Sequence, residues 1–130
     1  MFDAYLRSPL YILLHKVARP LVALGVTANM ITIAGGVVGV CACVAAALGF
    51  YHSSIILLVL NRLCDGLDGA VARLSLSSDF GGFLDIVFDF IFYAMVPFGF
   101  ALCDHANALA ACFLIVSFFG TAVSFLAFAV

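Results

Sequence analysis

The stretch DGLDGAVAR at residues 65–73, followed by GGFLDIVFD at residues 81–89, places four aspartates in sequence that is otherwise apolar enough to cross a membrane. If both stretches are helical, residues three and four apart share a face, so each stretch presents two carboxylates together. An ionised Asp near the centre of a bilayer costs at least ~2.5 kcal/mol on insertion scales. Asp65, Asp68, Asp85 and Asp89 therefore need a compensating charge.

The composition places the chain among helical membrane proteins. Of its 130 residues, 67% are hydrophobic and 9% are charged, whereas a soluble domain usually carries about 25% charged residues. The apolar runs are continuous or helix-periodic and lack the alternation of ~10-residue barrel strands. There is no basic patch, which disfavours nucleic-acid binding. We therefore predict an all-α integral membrane protein with one domain over residues 1–130.

The apolar segments predict an N-terminal interfacial helix followed by about four transmembrane helices. Residues 1–24 have the amphipathic pattern of a helix that lies in the membrane interface and begins near Pro9. After a break at residues 25–29, small residues recur along the first span and predict close packing, with the Asp-bearing helix as a candidate partner. The spans are predicted at about 30–50, 54–74, 81–102 and 108–130, with a polar link at 75–79.

The cations predict the orientation of the helices. Within this arrangement Arg7, Lys16, Arg19 and Arg73 lie on one side, and the two loops on the other side contain no Lys or Arg. Cytoplasmic loops are enriched in these residues. The N-terminus and the aspartates are therefore predicted on the cytoplasmic side of the membrane, which we expect to be a bacterial inner membrane.

A divalent metal ion is the natural source of the positive charge that would compensate four neighbouring carboxylates. Mg²⁺ and Mn²⁺ prefer hard oxygen ligands, and two neighbouring helices with two carboxylates each could hold two ions. A two-metal clamp suits displacement at phosphorus. The glycines at positions 66, 69, 81 and 82 let a diphosphate approach the backbone, and Arg73 could donate to a phosphate oxygen.

Two other interpretations remain open at this point. The carboxylates could pair with Arg62 and Arg73, although two cations do not neutralise four anions, or they could line the path of a divalent metal-ion transporter. A transport path would normally place carboxylates on several spans and at several depths, whereas these four fall within residues 65–89. Asn61 and Arg62, one turn before Asp65, either line the site or stabilise its carboxylates electrostatically.

The two stretches contain the pattern Asp65-x2-Asp68-Gly69-x2-Ala72-Arg73, then Gly81-x3-Asp85-x3-Asp89. The spacing of these residues resembles the signature of the class I CDP-alcohol phosphatidyltransferase family. The spacer of seven residues between Arg73 and Gly81 is one shorter than in many members, and in VTANMIT at residues 26–32 Ala28 stands where the family usually has Pro before Asn29. An Asp-rich membrane prenyltransferase, the alternative enzyme, repeats Asp differently and lacks the Ala-Arg element.

The resemblance implies a membrane enzyme of phospholipid synthesis. Such an enzyme transfers a phosphatidyl-type group from a CDP-linked lipid, such as CDP-diacylglycerol, to a small alcohol and releases CMP. The four aspartates would ligate two Mg²⁺ or Mn²⁺ ions, and Asp89 would also be the catalytic general base. The residues implied in CDP or phosphate binding are Gly69, Ala72, Arg73, Gly81 and Asn29.

The resemblance also bears on the extent of the chain. Family members usually have about six spans, whereas this sequence predicts about four. We therefore expect the chain to be C-terminally incomplete. The resemblance also implies that the full-length protein is a homodimer.

Overall fold

All regular elements that the structure describes are helical. The computed structural model describes residues 2–75 and 78–128, with side chains from residue 11 onward. The all-α prediction is confirmed, although α1 begins well before Pro9, and positions 1, 76, 77, 129 and 130 of the predicted segments lie outside the described residues. The helices are α1 (Phe2–Ala23), α2 (Ala28–Ala47), α3 (Tyr51–Leu74), α4 (Asp79–Cys103) and α5 (Ala108–Phe128), with a 3₁₀ turn at His105–Asn107.

Three segments are long and apolar enough to cross a membrane. They are α2, α4 and the segment His105–Phe128, which contains α5. The 24 residues of α3 would also span a hydrocarbon core of about 30 Å at a rise of about 1.5 Å per residue. Because α3 carries Arg62, Asp65, Asp68 and Arg73, it falls outside this apolar set. Its place as a fourth span stays a prediction.

Short connections make successive helices reverse direction. Gly25 and Gly49 both have φ of 79°, a left-handed conformation that glycine adopts without steric cost. The α2–α3 turn and the end of α4 meet, because the Tyr51 hydroxyl lies 3.2 Å from Cys103 Sγ. The two loops without Lys or Arg are therefore at one end of the bundle, as the charge pattern predicts.

Helix α2 is the centre of the bundle and packs against both α3 and α4. A Cβ added at Gly35 would lie 3.0 Å from the Cβ of Cys64 in α3, and one added at Gly36 would lie 2.7 Å from the Phe88 ring in α4. The small residues of α2 thus pack on the Asp-bearing α3, as predicted, and they also admit an aromatic side chain from α4.

Helix α1 packs across the C-terminal half of α3. Ala18 of α1 is fully buried with Ile31 of α2 and with Ala70 and Val71 of α3. Lys16 and Arg19 are exposed. Part of the apolar surface of α1, around Ala18, is therefore used on the bundle itself, whereas Leu13 and Val17 stay exposed together with Lys16 and Arg19.

The close approach of α4 to the backbone of α2 at Gly99 leads to a prediction about stability. A Cβ at Gly99 of α4 would lie 2.7 Å from the carbonyl oxygen of Cys43 in α2. Because a backbone atom has little room to shift, we expect Gly99→Ala to lower the free energy of unfolding by about 1–3 kcal/mol, as overpacked cores do. Unfolding of the purified protein in detergent would measure it.

Gly120→Ala is the matched control, because a Cβ at Gly120 meets nothing within 4 Å. We expect this variant to be as stable as the native chain or slightly more stable, since Ala favours helix more than Gly does. A Gly99→Ala protein that unfolds no earlier than the native chain would contradict the close packing of α2 and α4.

Candidate active site

Three of the four aspartates converge between α3 and α4. One carboxylate oxygen from each of Asp65, Asp68 and Asp85 lies within 4.8 Å of the other two. The helical spacing predicted in the sequence is thus realised, and carboxylates from two helices face a common point. We call these three side chains the carboxylate cluster.

Asp68 is the most deeply buried member of the carboxylate cluster. It is 5% exposed, and its Oδ2 accepts a hydrogen bond of 2.7 Å from Thr32 Oγ1 of α2. Among residues 11–75 and 78–128, no Lys, Arg or His side chain forms an ion pair with it. A buried carboxylate without a cationic partner is strongly unfavourable.

The carboxylate cluster fits a divalent ion. Its members offer hard oxygen donors from two rigid helices, which suit Mg²⁺ or Mn²⁺. An ion among them would supply the positive charge that Asp68 otherwise lacks. The three residues could therefore hold a metal ion.

The fourth aspartate, Asp89, borders the carboxylate cluster and is bonded to an arginine. Its Oδ1 accepts a hydrogen bond of 2.8 Å from Nη2 of Arg62. Arg62 Nη1 also lies 3.7 Å from Asp65 Oδ2. Asp89 nevertheless lines the same small cavity, of about 20 Å³, as Asp65, Asp68 and Asp85. The four predicted ligands thus border one space, with Asp89 in a different electrostatic setting.

Neutral groups fix the Arg62 guanidinium in place. Asn61 Oδ1 accepts from Arg62 Nε at 3.0 Å and from Nη2 at 2.7 Å, and Tyr93 Oη accepts from Nη1 at 3.2 Å. The guanidinium also lies 4.4 Å from the centre of the Phe92 ring. Asn61 is anchored in turn, since its Nδ2 donates to the Gly35 carbonyl at 2.8 Å. Two roles were open for Asn61 and Arg62, namely lining the site and stabilising its carboxylates. The structure supports both, because these residues line the cavity and Arg62 contacts two carboxylates.

A larger pocket of about 550 Å³ opens beside the carboxylate cluster. Asp68 and Asp85 form part of its wall, together with residues from the N-terminal ends of α2 and α4. Arg73 is not part of this wall, because its guanidinium lies over the ring of Tyr11 in α1, 5.4 Å from the ring centre. Four of the five residues predicted to contact CDP or phosphate also line the pocket, namely Asn29, Gly69, Ala72 and Gly81.

Gly81 allows the ends of α2 and α4 to approach each other. A Cβ at this position would lie 2.7 Å from Asn29 Oδ1, so any larger residue would displace the Asn29 side chain. The Gly81 N–H is occupied by the helix cap, because it donates to Ser78 Oγ at 3.0 Å. Gly81 of the motif therefore provides the space that the Asn29 side chain occupies.

Two residues of the site were not predicted from the sequence. Thr32 falls within the VTANMIT segment, yet only the packing of α2 on α3 shows that it bonds Asp68. Tyr93 lies one turn after Asp89 on α4, so a helical projection would have placed it on the same face. The sequence does not indicate that its hydroxyl meets Arg62.

Comparison with known proteins gives two curated relatives, and no solved structure matches the chain. The inner membrane protein YnjF of Escherichia coli strain K12 is 48% identical over 130 residues, which cover 99% of this chain and 63% of that protein. The archaetidylinositol phosphate synthase of Pyrococcus horikoshii is 37% identical over 90 residues, which cover 68% of this chain and 48% of that protein. The chain thus spans about half to three fifths of the length of these relatives.

The likeness to an inner membrane protein agrees with the three segments that are long and apolar enough to cross a membrane. The chain is an integral membrane protein. The model of one family, described as CDP-alcohol phosphatidyltransferase, matches residues 25–130. This match includes all four aspartates, the Arg62 network and the lining of the larger pocket apart from Val22, and the chain belongs to the CDP-alcohol phosphatidyltransferase family.

Proposed function

We propose that the chain carries the catalytic site of an enzyme that transfers a substituted phosphate group from a CDP-linked lipid to a small alcohol and releases CMP. CDP-diacylglycerol is an example of such a donor. The observation that carries the proposal is the carboxylate cluster at the wall of a 550 Å³ pocket, in residues that match the family. A relative that is by name an archaetidylinositol phosphate synthase supports a phospholipid product.

The carboxylate cluster would hold one divalent ion, and Asp89 would complete a second site. Mg²⁺ and Mn²⁺ are the ions that best suit carboxylate and phosphate oxygens. When bound, they would screen the charge on the diphosphate and on the departing CMP oxygen.

Asp89 is the residue that we assign as the general base. It would accept the proton of the acceptor hydroxyl while that oxygen forms a bond to phosphorus and the bond from phosphorus to the CMP oxygen breaks. Arg62 holds Asp89 Oδ1 at 2.8 Å. The proton is therefore assigned to Oδ2.

The larger pocket would receive the CDP group. Gly69, Ala72 and Gly81 line it, so no bulky side chain there would obstruct a diphosphate. Residues at the N-terminal ends of α2 and α4 also line it, and helix N-termini favour anions. Asn29 would contact the nucleotide from the end of α2, and Arg73 would support the Gly69 segment or contact phosphate.

We place the site on the cytoplasmic side of a bacterial inner membrane, from the distribution of Lys and Arg and from the relative named as an inner membrane protein. The active full-length protein would be a homodimer. The family match favours this enzyme over an Asp-rich prenyltransferase or a metal-ion transporter.

The direct test of the function is CMP release. Purified protein would be mixed with CDP-diacylglycerol and either Mg²⁺ or Mn²⁺, and candidate alcohols would be added singly. We expect release that requires both the metal and one class of alcohol. A longer chain, which covers the full length of the relatives, would be tested in parallel. If neither chain releases CMP with any alcohol, the proposed reaction is wrong.

Asp89→Asn should abolish turnover and leave part of the metal-dependent CDP binding. The amide keeps an oxygen for Arg62 but does not accept the proton, and loss of a general base typically costs about 10²–10⁴-fold in rate. CMP release and equilibrium CDP binding with and without Mn²⁺ would measure the two effects. Asp104→Asn is the control, because Asp104 is an exposed residue at the opposite end of α4. Normal turnover in Asp89→Asn would remove the assignment of the base.

Asp65→Ala should lose metal binding and activity together. Asp65 is part of the carboxylate cluster, and its removal leaves two carboxylates that belong to different helices. Mn²⁺ binding and lipid synthesis by the full-length relative with the equivalent change would be followed side by side. Lipid synthesis that persists in that variant would refute the two-ion site.

A further inference from the structure

Arg62 has neutral partners and charged partners, and a bound metal ion would compete only for the charged ones. The neutral partners are Asn61, Phe92 and Tyr93, which bond or stack on the guanidinium. The charged partners are Asp89 and Asp65, with N–O distances of 2.8 and 3.7 Å. An ion that binds the carboxylates competes with Arg62 for the charged partners and leaves the neutral ones intact.

Asn61, the neutral partner that accepts two hydrogen bonds from Arg62, is itself anchored. Asn61 is 5% exposed and is tied to the backbone of α2 by its 2.8 Å bond to the Gly35 carbonyl. Gly39 of α2 allows this arrangement, because a Cβ there would lie 3.1 Å from Asn61 Nδ2 and 2.9 Å from the Phe92 ring. The guanidinium is therefore held by α2, α3 and α4 independently of the carboxylates.

We propose that Arg62 is a positioning residue, a fixed positive charge that holds Asp89 at the edge of the carboxylate cluster and weakens the binding of a cation there. One divalent ion then binds tightly to Asp65, Asp68 and Asp85, and a second ion, which needs Asp89, binds more weakly beside Arg62. The proposal rests on the metal site of the proposed function and adds an order of loading to it. The weaker ion would arrive last, together with the diphosphate oxygens that complete its ligands.

The electrostatic argument concerns only the second ion. Asp65, Asp68 and Asp85 have one Arg62 contact among them, at 3.7 Å, whereas Asp89 has a direct hydrogen bond to the same guanidinium at 2.8 Å. A cation at Asp89 must therefore bind next to a unit positive charge, and because both side chains are about two-thirds buried the repulsion is screened less than in bulk water.

Mn²⁺ binding to the purified native chain, with no nucleotide, tests this order. Free Mn²⁺ would be measured by electron paramagnetic resonance, which also detects two Mn²⁺ ions close to each other through their magnetic coupling. We expect one tight site and one weak site. In Arg62→Gln the second site should tighten about ten-fold, because the adjacent charge is gone. The coupled signal should then form at lower total Mn²⁺.

Two variants separate the charge of Arg62 from a structural role. Arg62→Lys keeps the charge, and we expect its second site to stay within about three-fold of the native value, well under the ten-fold that corresponds to 1.4 kcal/mol. Arg19→Gln is the matched control, since it removes an exposed Arg of α1 that lines neither of the two cavities, and both affinities should remain native. An Arg62→Gln protein with an unchanged or weakened second site would overturn the proposal.

Asp89→Asn provides a test that does not require Arg62 to be replaced. This variant should keep the tight ion and lose the weak one, because the carboxylate cluster is intact. Loss of the tight ion would place Asp89 in the first site and overturn the proposal. If the native chain binds no Mn²⁺, the metal site of the proposed function fails as well, whereas native binding with an Arg62→Gln isotherm equal to the native one refutes the role of Arg62 alone.

Discussion

Asp68 is buried between α2 and α3 with one oxygen bonded to Thr32, and no cationic side chain of the described residues forms an ion pair with it. A carboxylate at this depth requires nearby positive charge, and a divalent ion at the carboxylate cluster would provide it. The ion in turn requires Asp85 to reach across from α4. The close packing of α3 and α4 on the small residues of α2 brings these carboxylates within reach of one another.

The small residues of α2 serve the site as well as the bundle. Gly35 offers its carbonyl to Asn61 and lets Cys64 approach, and Gly36 makes room for Phe88, which borders the small cavity. In sequence this stripe predicts only close helix packing. In the structure it sets the distance between the two Asp-bearing helices, so the geometry of the carboxylates depends on residues that carry no charge.

Much of the fold and part of the site could be predicted from the sequence. Apart from the start of α1, which lies well before Pro9, the helix boundaries follow from the hydrophobic runs and the polar breaks. Helical spacing predicts that the aspartates of each helix share a face, and the packing on α2 brings Asp65, Asp68 and Asp85 together. The different setting of Asp89 could not be predicted, because it depends on a contact from Arg62, which lies 27 positions away on another helix. The position of Arg73 was also hidden, since α1 supplies the Tyr11 ring that its guanidinium faces.

In the described part of the chain, helix α5 supplies no side chain to the two cavities at the carboxylate cluster, but its Phe118 ring lies 5.2 Å from that of Tyr93, which bonds Arg62. It packs on α4, and many of its Phe side chains, such as Phe113, Phe119 and Phe125, are largely exposed. The four aspartates themselves lie on α3 and on α4, which ends at Cys103. Helices after α4 could therefore vary among members of the family, and with them the surroundings of the proposed acceptor, while the backbone that carries the carboxylates stays the same. The proposed phosphate-transfer centre could in this way be combined with many different alcohols.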